Sequence, residues 1–234
     1  MDFLLGVLGG MGPEAAVEFL RRLIRMTPAE SDQEHLPTVL INDPRVPDRT
    51  AALTSGGPSP LPRLLRGALR LQELGCHLIV IPCNTAHAWL PELRREVKVP
   101  FLDIVEATVE EALEVSGARR AGLIATTGTL SAGLYQRALS ARGVEVILPG
   151  PERQEEVMSI VFAVKKEGAT DASRQRLKNI MEGLVARGAE VLIAGCTELP
   201  LVLPEAPPAP VADSLGAPAR AVLRLAEEKG ARKR

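Results

Sequence analysis

The chain has 234 residues, 46% hydrophobic and 24% charged, enough for one large or two small domains around a real core. A formal net charge of −1 gives no electrostatic case for nucleic acid or an anionic membrane as partner, and aromatics at 3% offer no platform for stacked bases. Three cysteines, an odd count without a dense framework, point to a reducing cytoplasm, and neither a signal peptide nor a membrane span is expected.

Residues 3–8 form a short apolar run that predicts a strand, and Gly9-Gly-Met-Gly12 a tight turn. Pro13 suits the first position of a helix running to about Met26. Residues 38–41 predict a second strand leading into a loop over 42–50, and 55–60 is a Ser/Gly/Pro turn cluster. Residues 61–74 carry apolar positions at helical spacing. A buried strand over 77–81 leads to Cys83, followed by a helix closing near Val97, an extended piece over 99–103 and a helix to about Val115. A second round starts with a strand over 121–125, turns at Thr126-Thr-Gly-Thr129 and enters one helix that closes near Gly143. Then come a strand over 144–148, helices over 152–166 and 171–187, and a strand from 190 to Cys196. Residues 210–213 predict a last strand, 216–228 a closing helix, and 229–234 a frayed, solvated tail.

The second round repeats the first. Residues 6–12 match 122–128 at an offset of 116, Gly75 and Cys83 match Gly188 and Cys196 at 113, and 99–103 match 209–213 at 110. A drift of a few residues is what loop-length differences between duplicated halves produce. Alternating strands and helices in each half predict an α/β fold of two similar, pseudo-symmetric domains, their parallel-rich sheets flanked by helices. Ligands in such sheets sit at the carboxyl ends of strands. Both cysteines fall at such ends, so two related domains facing each other place the thiols across a shared cleft. Cys76, matched by Ala189, has no counterpart and reads as a buried structural thiol.

Each cysteine also stands where a strand hands over to a helix, and a helix N-terminus lowers a thiol's pKa. One such cysteine would read as an inert core residue. Two in matched frames, each followed by hydroxyl or amide residues, read as a site. A disulfide switch lacks a C-x-x-C or resolving cysteine. A metal site would need more than two cysteines and His87, whose matching position is Pro200, so no metal is expected. Acid–base work remains. One thiolate removes a proton from carbon while the opposite thiol delivers one to the other face, a stereoinversion that explains a symmetrical duplication.

Gly9-Gly-Met-Gly-Pro-Glu-Ala15, Pro47-Asp-Arg-Thr-Ala51, Pro82-Cys-Asn-Thr-Ala-His87 and Gly195-Cys-Thr-Glu198 resemble the aspartate/glutamate racemase superfamily, its aspartate racemase branch in particular. The resemblance runs in order over nearly the whole chain. It implies interconversion of L- and D-aspartate without PLP, metal or any other cofactor, in a homodimer whose small-molecule partner is an acidic amino acid. It implies Cys83 and Cys196 as the two bases, with Asn84, Thr85 and Thr197 holding the α-carboxylate. Thr127 and the Gly10-Met11 turn would line the same pocket, and Arg49 and Lys165 would bind the side-chain carboxylate. Glu198 is expected to tune Cys196 or relay protons, with a plain capping role as the alternative, and His87 to be a packed structural residue. The resemblance further implies that each half's last strand crosses over, giving a first domain of 1–101 with 214–234 and a second of 102–213.

The opening lacks the Asp-Ser-Gly-x-Gly pattern of glutamate racemases, which favours aspartate over glutamate; maleate isomerases and hydantoin racemases also use paired cysteines. A rival class is a nucleotide-binding oxidoreductase, because Gly10-Met-Gly12-Pro-Glu-Ala15 fits G-x-G-x-x-A. Against it, Glu14 places a negative charge where pyrophosphate would bind, and Asp43 comes about 30 residues after the turn rather than the ~20 that fingerprint requires. A catalytically silent binding protein on the same scaffold is the third class, and retention of both cysteines and both cations argues against it.

Overall fold

The computed structural model of the protein describes residues 3–228; the tail over 229–234, expected to fray, lies outside the described residues. Among the described residues eight strands form two four-stranded parallel sheets of like topology. In the first, β1 (Leu5–Gly9) lies between β2 (Thr38–Asn42) and β3 (Leu78–Val80), with β4 (Phe101–Leu102) outside β3. In the second, β5 (Arg120–Ala125) lies between β6 (Glu145–Ile147) and β7 (Val191–Gly195), with β8 (Val211–Asp213) outside β7. The register keeps the sequence repeat: Leu5 pairs with Leu78, and Ala121 with Val191.

The helices are α1 (Pro13–Met26), α2 (Arg49–Thr54), α3 (Leu61–Glu73), α4 (Leu90–Glu96) and α5 (Ile104–Ser116). They continue with α6 (Thr127–Ser131), α7 (Leu134–Ser140), α8 (Pro151–Glu167), α9 (Asp171–Ala186) and α10 (Gly216–Glu228). Parallel strands are buried on both faces, which is why their sequences are nearly continuous apolar runs. Side chains alternate across each sheet. Leu5, Val7, Leu78 and Val80 pack with Phe19 and Leu23 of α1 and with Ala219 and Val222 of α10. Leu8, Ile79 and Ile81 turn the other way, onto Leu64 and Leu71 of α3 and Leu93 of α4. The second sheet divides likewise. Leu123, Val191 and Ile193 face Val109 of α5 and Leu139 of α7, while Ile124 and Leu192 face Val161 of α8 and Ile180 of α9. The chain therefore changes sheet after β4, when α5 docks beside β7 and β8, and returns after β8, when α10 docks on α1.

Local structure departs from the sequence expectation at three places. The loop expected over 42–50 already contains the start of α2, because the Asp48 side chain accepts the Ala51 N–H at 2.7 Å and caps a helix beginning at Arg49. The single helix expected to close near Gly143 is broken into α6 and α7 by Gly133, whose φ of 63° is left-handed. Neither cysteine is followed directly by an α-helix: a 3₁₀ turn, Thr85–Trp89, follows Cys83 before α4, and another, Leu199–Val202, follows Cys196. Pro200 fits such a turn, and Pro204, Pro207 and Pro208 close off any longer helix. Among the described residues no helix is long and apolar enough to cross a membrane.

Candidate active site

Both cysteines emerge from the carboxyl ends of central strands, Cys83 beyond β3 and Cys196 immediately after β7, and both are buried, at 5% exposure. One small cavity between the two sheets, about 20 Å³ in volume, touches both. Its walls also include Met11, Arg49, Asn84, Thr85, Lys165, Thr197 and Glu198. The nine residues named come from the carboxyl edge of both halves, so the repeat converges on one place. Thr127 does not join them. It is exposed and lines a separate cavity beside α8 with Met158 and Phe162, while the preceding Thr126 turns inward.

The surroundings of the two thiols differ. Cys196 Sγ donates to Glu198 Oε2 at 3.0 Å. Burial pushes this thiol well above the usual cysteine range, and the Glu198 carboxylate pushes it further in the same direction, against a downward pull from Lys165. The expectation of a thiol activated by a helix N-terminus is thus reversed at Cys196. The turn that follows is too short to supply a helix dipole, and desolvation beside a carboxylate favours the neutral form. Cys83 has no carboxylate in the equivalent place. There stands Thr85, whose hydroxyl meets Thr126 Oγ1 at 3.0 Å and Thr129 Oγ1 at 2.9 Å, with Thr126 and Thr129 3.0 Å apart. The three hydroxyls close a ring across the two halves.

Asn84 is locked between halves as well. Its Oδ1 accepts from Tyr135 Oη at 2.7 Å, and its Nδ2 donates to Ser214 Oγ at 2.8 Å. Tyr135 is fully buried and burial raises its pKa, so the phenol stays protonated and keeps donating. The amide is thereby assigned one orientation, with a second N–H to spare. Thr197 is buried on the same cavity wall. His87 is buried and burial lowers its pKa, so the ring is neutral; Nδ1–H donates to the Cys83 carbonyl at 2.9 Å and Nε2 accepts the Ile104 N–H at 3.2 Å.

The opposite wall is cationic. Arg49 is 8% exposed, yet no carboxylate pairs with it among the described residues. Its guanidinium donates to the carbonyls of Val46, Pro47 and Met11, and its buried Nε–H has no partner. Lys165 Nζ lies 3.6 Å from Glu198 Oε1, an ion pair without a hydrogen bond, and that oxygen is itself unpartnered. Burial works against the Lys165 charge, but Glu198 and the two thiols outweigh it and raise its pKa. A buried guanidinium with an unused N–H beside an ammonium is a socket for an anion. Asp43, which the nucleotide reading would place on a ribose, is instead clasped by Arg45 at 2.7 Å and Arg63 at 3.3 Å, and the Arg45 hydrogen bonds hold its pKa down at about 2.

The family model for Asp/Glu/Hydantoin racemase matches residues 8–222. The chain belongs to that family. It is therefore a racemase, and its superfamily includes aspartate racemases among its structural neighbours. The aspartate racemase of Picrophilus torridus superposes with a TM-score of 0.87 at 33% identity, over 97% of this chain and 95% of that one. The broad specificity amino-acid racemase RacX of Bacillus subtilis is 28% identical over 206 residues, covering 86% of this chain and 87% of that protein. The glutamate racemase of Corynebacterium glutamicum is 32% identical over 154 residues, covering 62% of this chain and 54% of that protein.

Tyr135, Ser214, Thr126 and Thr129 were not among the residues singled out from sequence. The Thr126-Thr-Gly-Thr129 turn was visible, and a preference for the helix-capping threonine would have chosen Thr126, whose Oγ1 accepts the Thr129 N–H at 3.2 Å. Nothing in the local sequence of Tyr135 announces its role.

Proposed function

We propose that this racemase interconverts L- and D-aspartate, with Cys83 and Cys196 as the two bases on opposite faces of Cα. The observation that carries the substrate reading is the buried, carboxylate-free Arg49 with its unused Nε–H, set beside Lys165 on the same cavity as both thiols. A substrate carboxylate supplies the missing partner, and a planar guanidinium accepts it side-on. The Picrophilus torridus relative, an aspartate racemase, supports the same choice. A broader acidic range is the second reading, favoured by the Bacillus subtilis relative's broad specificity.

In this reading the Cys83 thiolate takes the Cα proton of the bound substrate. The carbanion is held by the spare Asn84 N–H, the Thr197 hydroxyl and backbone N–H groups of the cysteine loops. Cys196, kept protonated by burial and by Glu198, delivers its S–H proton to the opposite face. Product leaves with the thiol and thiolate exchanged, and the reverse turnover or proton exchange with solvent restores them. No electron is transferred and no group besides the proton moves, so the chain's own residues balance the reaction.

The test is proton NMR of the Cα signal of L-aspartate in D₂O with purified protein and reductant. Loss of the signal with D-aspartate accumulating is the expected result, and Cys83→Ala or Cys196→Ala should each lower inversion by about 10³-fold or more. Silence towards aspartate with turnover of glutamate would move the substrate assignment, and retained inversion in either alanine variant would overturn the two-thiol mechanism.

A further inference from the structure

By the repeat, His87 and Pro200 are equivalent, each four residues past a cysteine, and Asp103 and Asp213 are equivalent, each closing the edge-strand segment of its half. In the first half His87 bridges the Cys83 carbonyl and the N–H of Ile104, the residue after Asp103, while Asp103 itself pairs with Arg94 at 3.6 Å. A proline offers neither ring nitrogen. In the second half the Cys196 carbonyl accepts the Leu199 N–H at 3.0 Å and the Ser214 N–H goes to the Ala194 carbonyl at 3.3 Å, and the turn after Cys196 is tied to Asp213 by a side chain from the other sheet's domain, Arg22 of α1. Its Nη2 donates to the Pro200 carbonyl at 3.2 Å and its Nη1 to Asp213 Oδ1 at 2.8 Å. Its Nε donates to Glu18 Oε1 at 2.8 Å, which fixes the plane of the guanidinium. The three side chains are largely buried, with exposures of 19% for Arg22, 9% for Glu18 and 15% for Asp213. Asp213 Oδ1 also accepts the N–H groups of Leu215 and Gly216, so the same contact holds the crossover into α10.

We propose that Arg22 is a positioning residue for Cys196, holding from the other half the turn that follows this cysteine, whereas Cys83 is held within its own half by His87. The proposal rests on the two-thiol reading above. Pro200 is two residues past Glu198, whose carboxylate receives the Cys196 S–H. Releasing its carbonyl from Arg22 lets the Cys196–Glu198 segment drift relative to the substrate, while Cys83, tied by His87, stays in place. One thiol is therefore misplaced and the other is not. The two enantiomers are equally stable, so a misplaced base lowers kcat/KM equally in both directions, and overall activity cannot reveal which side has moved. The fate of the carbanion can. A carbanion formed by Cys83 and not promptly protonated by Cys196 returns to Cys83, which has traded its proton with solvent, and the substrate is recovered labelled with its configuration retained.

The experiment follows deuterium entry at Cα and configuration together, from each aspartate enantiomer separately, in D₂O at early conversion. Wild type is expected to exchange mainly with inversion from both. In Arg22→Gln the ratio of retained, deuterated substrate to inverted product should rise about tenfold for one enantiomer and little for the other. His87→Gln should bias the opposite enantiomer. Arg22→Lys keeps a cation among Glu18 and Asp213 but lacks the fork that reaches Pro200 as well. It should melt closer to wild type while showing the Arg22→Gln bias, and it carries the test if Arg22→Gln does not fold. A fall in exchange and inversion in proportion, with the ratio unchanged for both enantiomers in both Arg22 variants, would overturn the positioning role and leave only a structural ion pair. Absence of Cα exchange in wild type would instead overturn the two-thiol reading.

Discussion

Two residues past Cys83 stands Thr85, and two residues past Cys196, at the same place in the repeat, stands Glu198. Both side chains are buried at the end of a central parallel strand, and both lie on the cavity that holds the thiols. Thr85 closes a neutral ring of hydroxyls with Thr126 and Thr129, whereas Glu198 brings a charge to 3.0 Å from the Cys196 sulfur and 3.6 Å from Lys165. Duplication fixed where the two thiols stand; divergence at this one position fixed what surrounds them. Stereoinversion needs one base and one acid at the start of each turnover. A carboxylate beside only one thiol breaks the symmetry of the pair, and in the proposed reaction it keeps Cys196 as the acid when Cys83 is the base.

Among changes around the thiols, removing that charge should therefore have the largest effect. Glu198→Gln keeps the shape of the side chain but lets Lys165 act on Cys196 unopposed, so the Cys196 pKa should fall. We expect kcat to drop by about 10²-fold or more. The alkaline limb of the rate profile, where the proton-donating thiol is lost, should move to lower pH. A profile that falls in height without moving would mean that Glu198 relays protons or shapes the cavity but does not set the thiol.

The hydrogen bonds that join the halves set the next scale. Tyr135→Phe leaves Asn84 Oδ1 buried without its donor and should cost about 1–3 kcal/mol of stability in urea unfolding. It should also raise KM more than it lowers kcat, because the Asn84 amide is freed to turn over. An unchanged midpoint would show that water or a second donor replaces the phenol.

His87 adds a pH dependence that Pro200 cannot. Burial holds its folded pKa below the ordinary 6.5. As pH falls through that ordinary value, the unfolded chain binds a proton that the folded protein refuses, so stability declines towards acid. Above it both states are neutral and the contribution is constant. His87→Gln should be flatter between neutral pH and pH 5 than wild type, as read from urea midpoints, and equal slopes would mean that the ring titrates freely in the fold.

The sequence made the repeat, the α/β alternation and the cysteine strand ends legible because each rests on local signals: apolar runs, glycine turns and constant offsets. The Arg49–Lys165 wall was reached through the resemblance alone, since nothing local distinguishes a buried arginine from a solvated one. What could not be read is whatever depends on contact between the halves. Tyr135 looks like any core aromatic until α7 carries it to Asn84, and Arg22 looks like a surface residue of an amphipathic helix until Asp213 and Pro200 meet it. The thiol environment was misjudged for a related reason. A strand ending at a small polar residue suggests a helix cap, but only a 3₁₀ turn follows each cysteine, and at Cys196 desolvation beside Glu198 raises the thiol's pKa.

The adjacent threonines of the second-half turn test the smallest difference. The offset of 116 aligns Met11 with Thr127, which places Thr127 in the pocket by analogy; the fold gives that place to Thr126. Thr126 Oγ1 caps α6 and belongs to the hydroxyl ring, whereas Thr127 Oγ1 only meets Gln154 Nε2 at 3.4 Å on an exposed surface. Thr126→Ala should cost about 1 kcal/mol in stability through the lost cap and slow turnover by loosening Thr85. Thr127→Ala should stay within about 0.5 kcal/mol and leave the racemisation rate at the wild-type value. A clear rate loss in Thr127→Ala with Thr126→Ala unaffected would mean that the bound enzyme rotates this turn, bringing the pocket back to the symmetry of the sequence repeat.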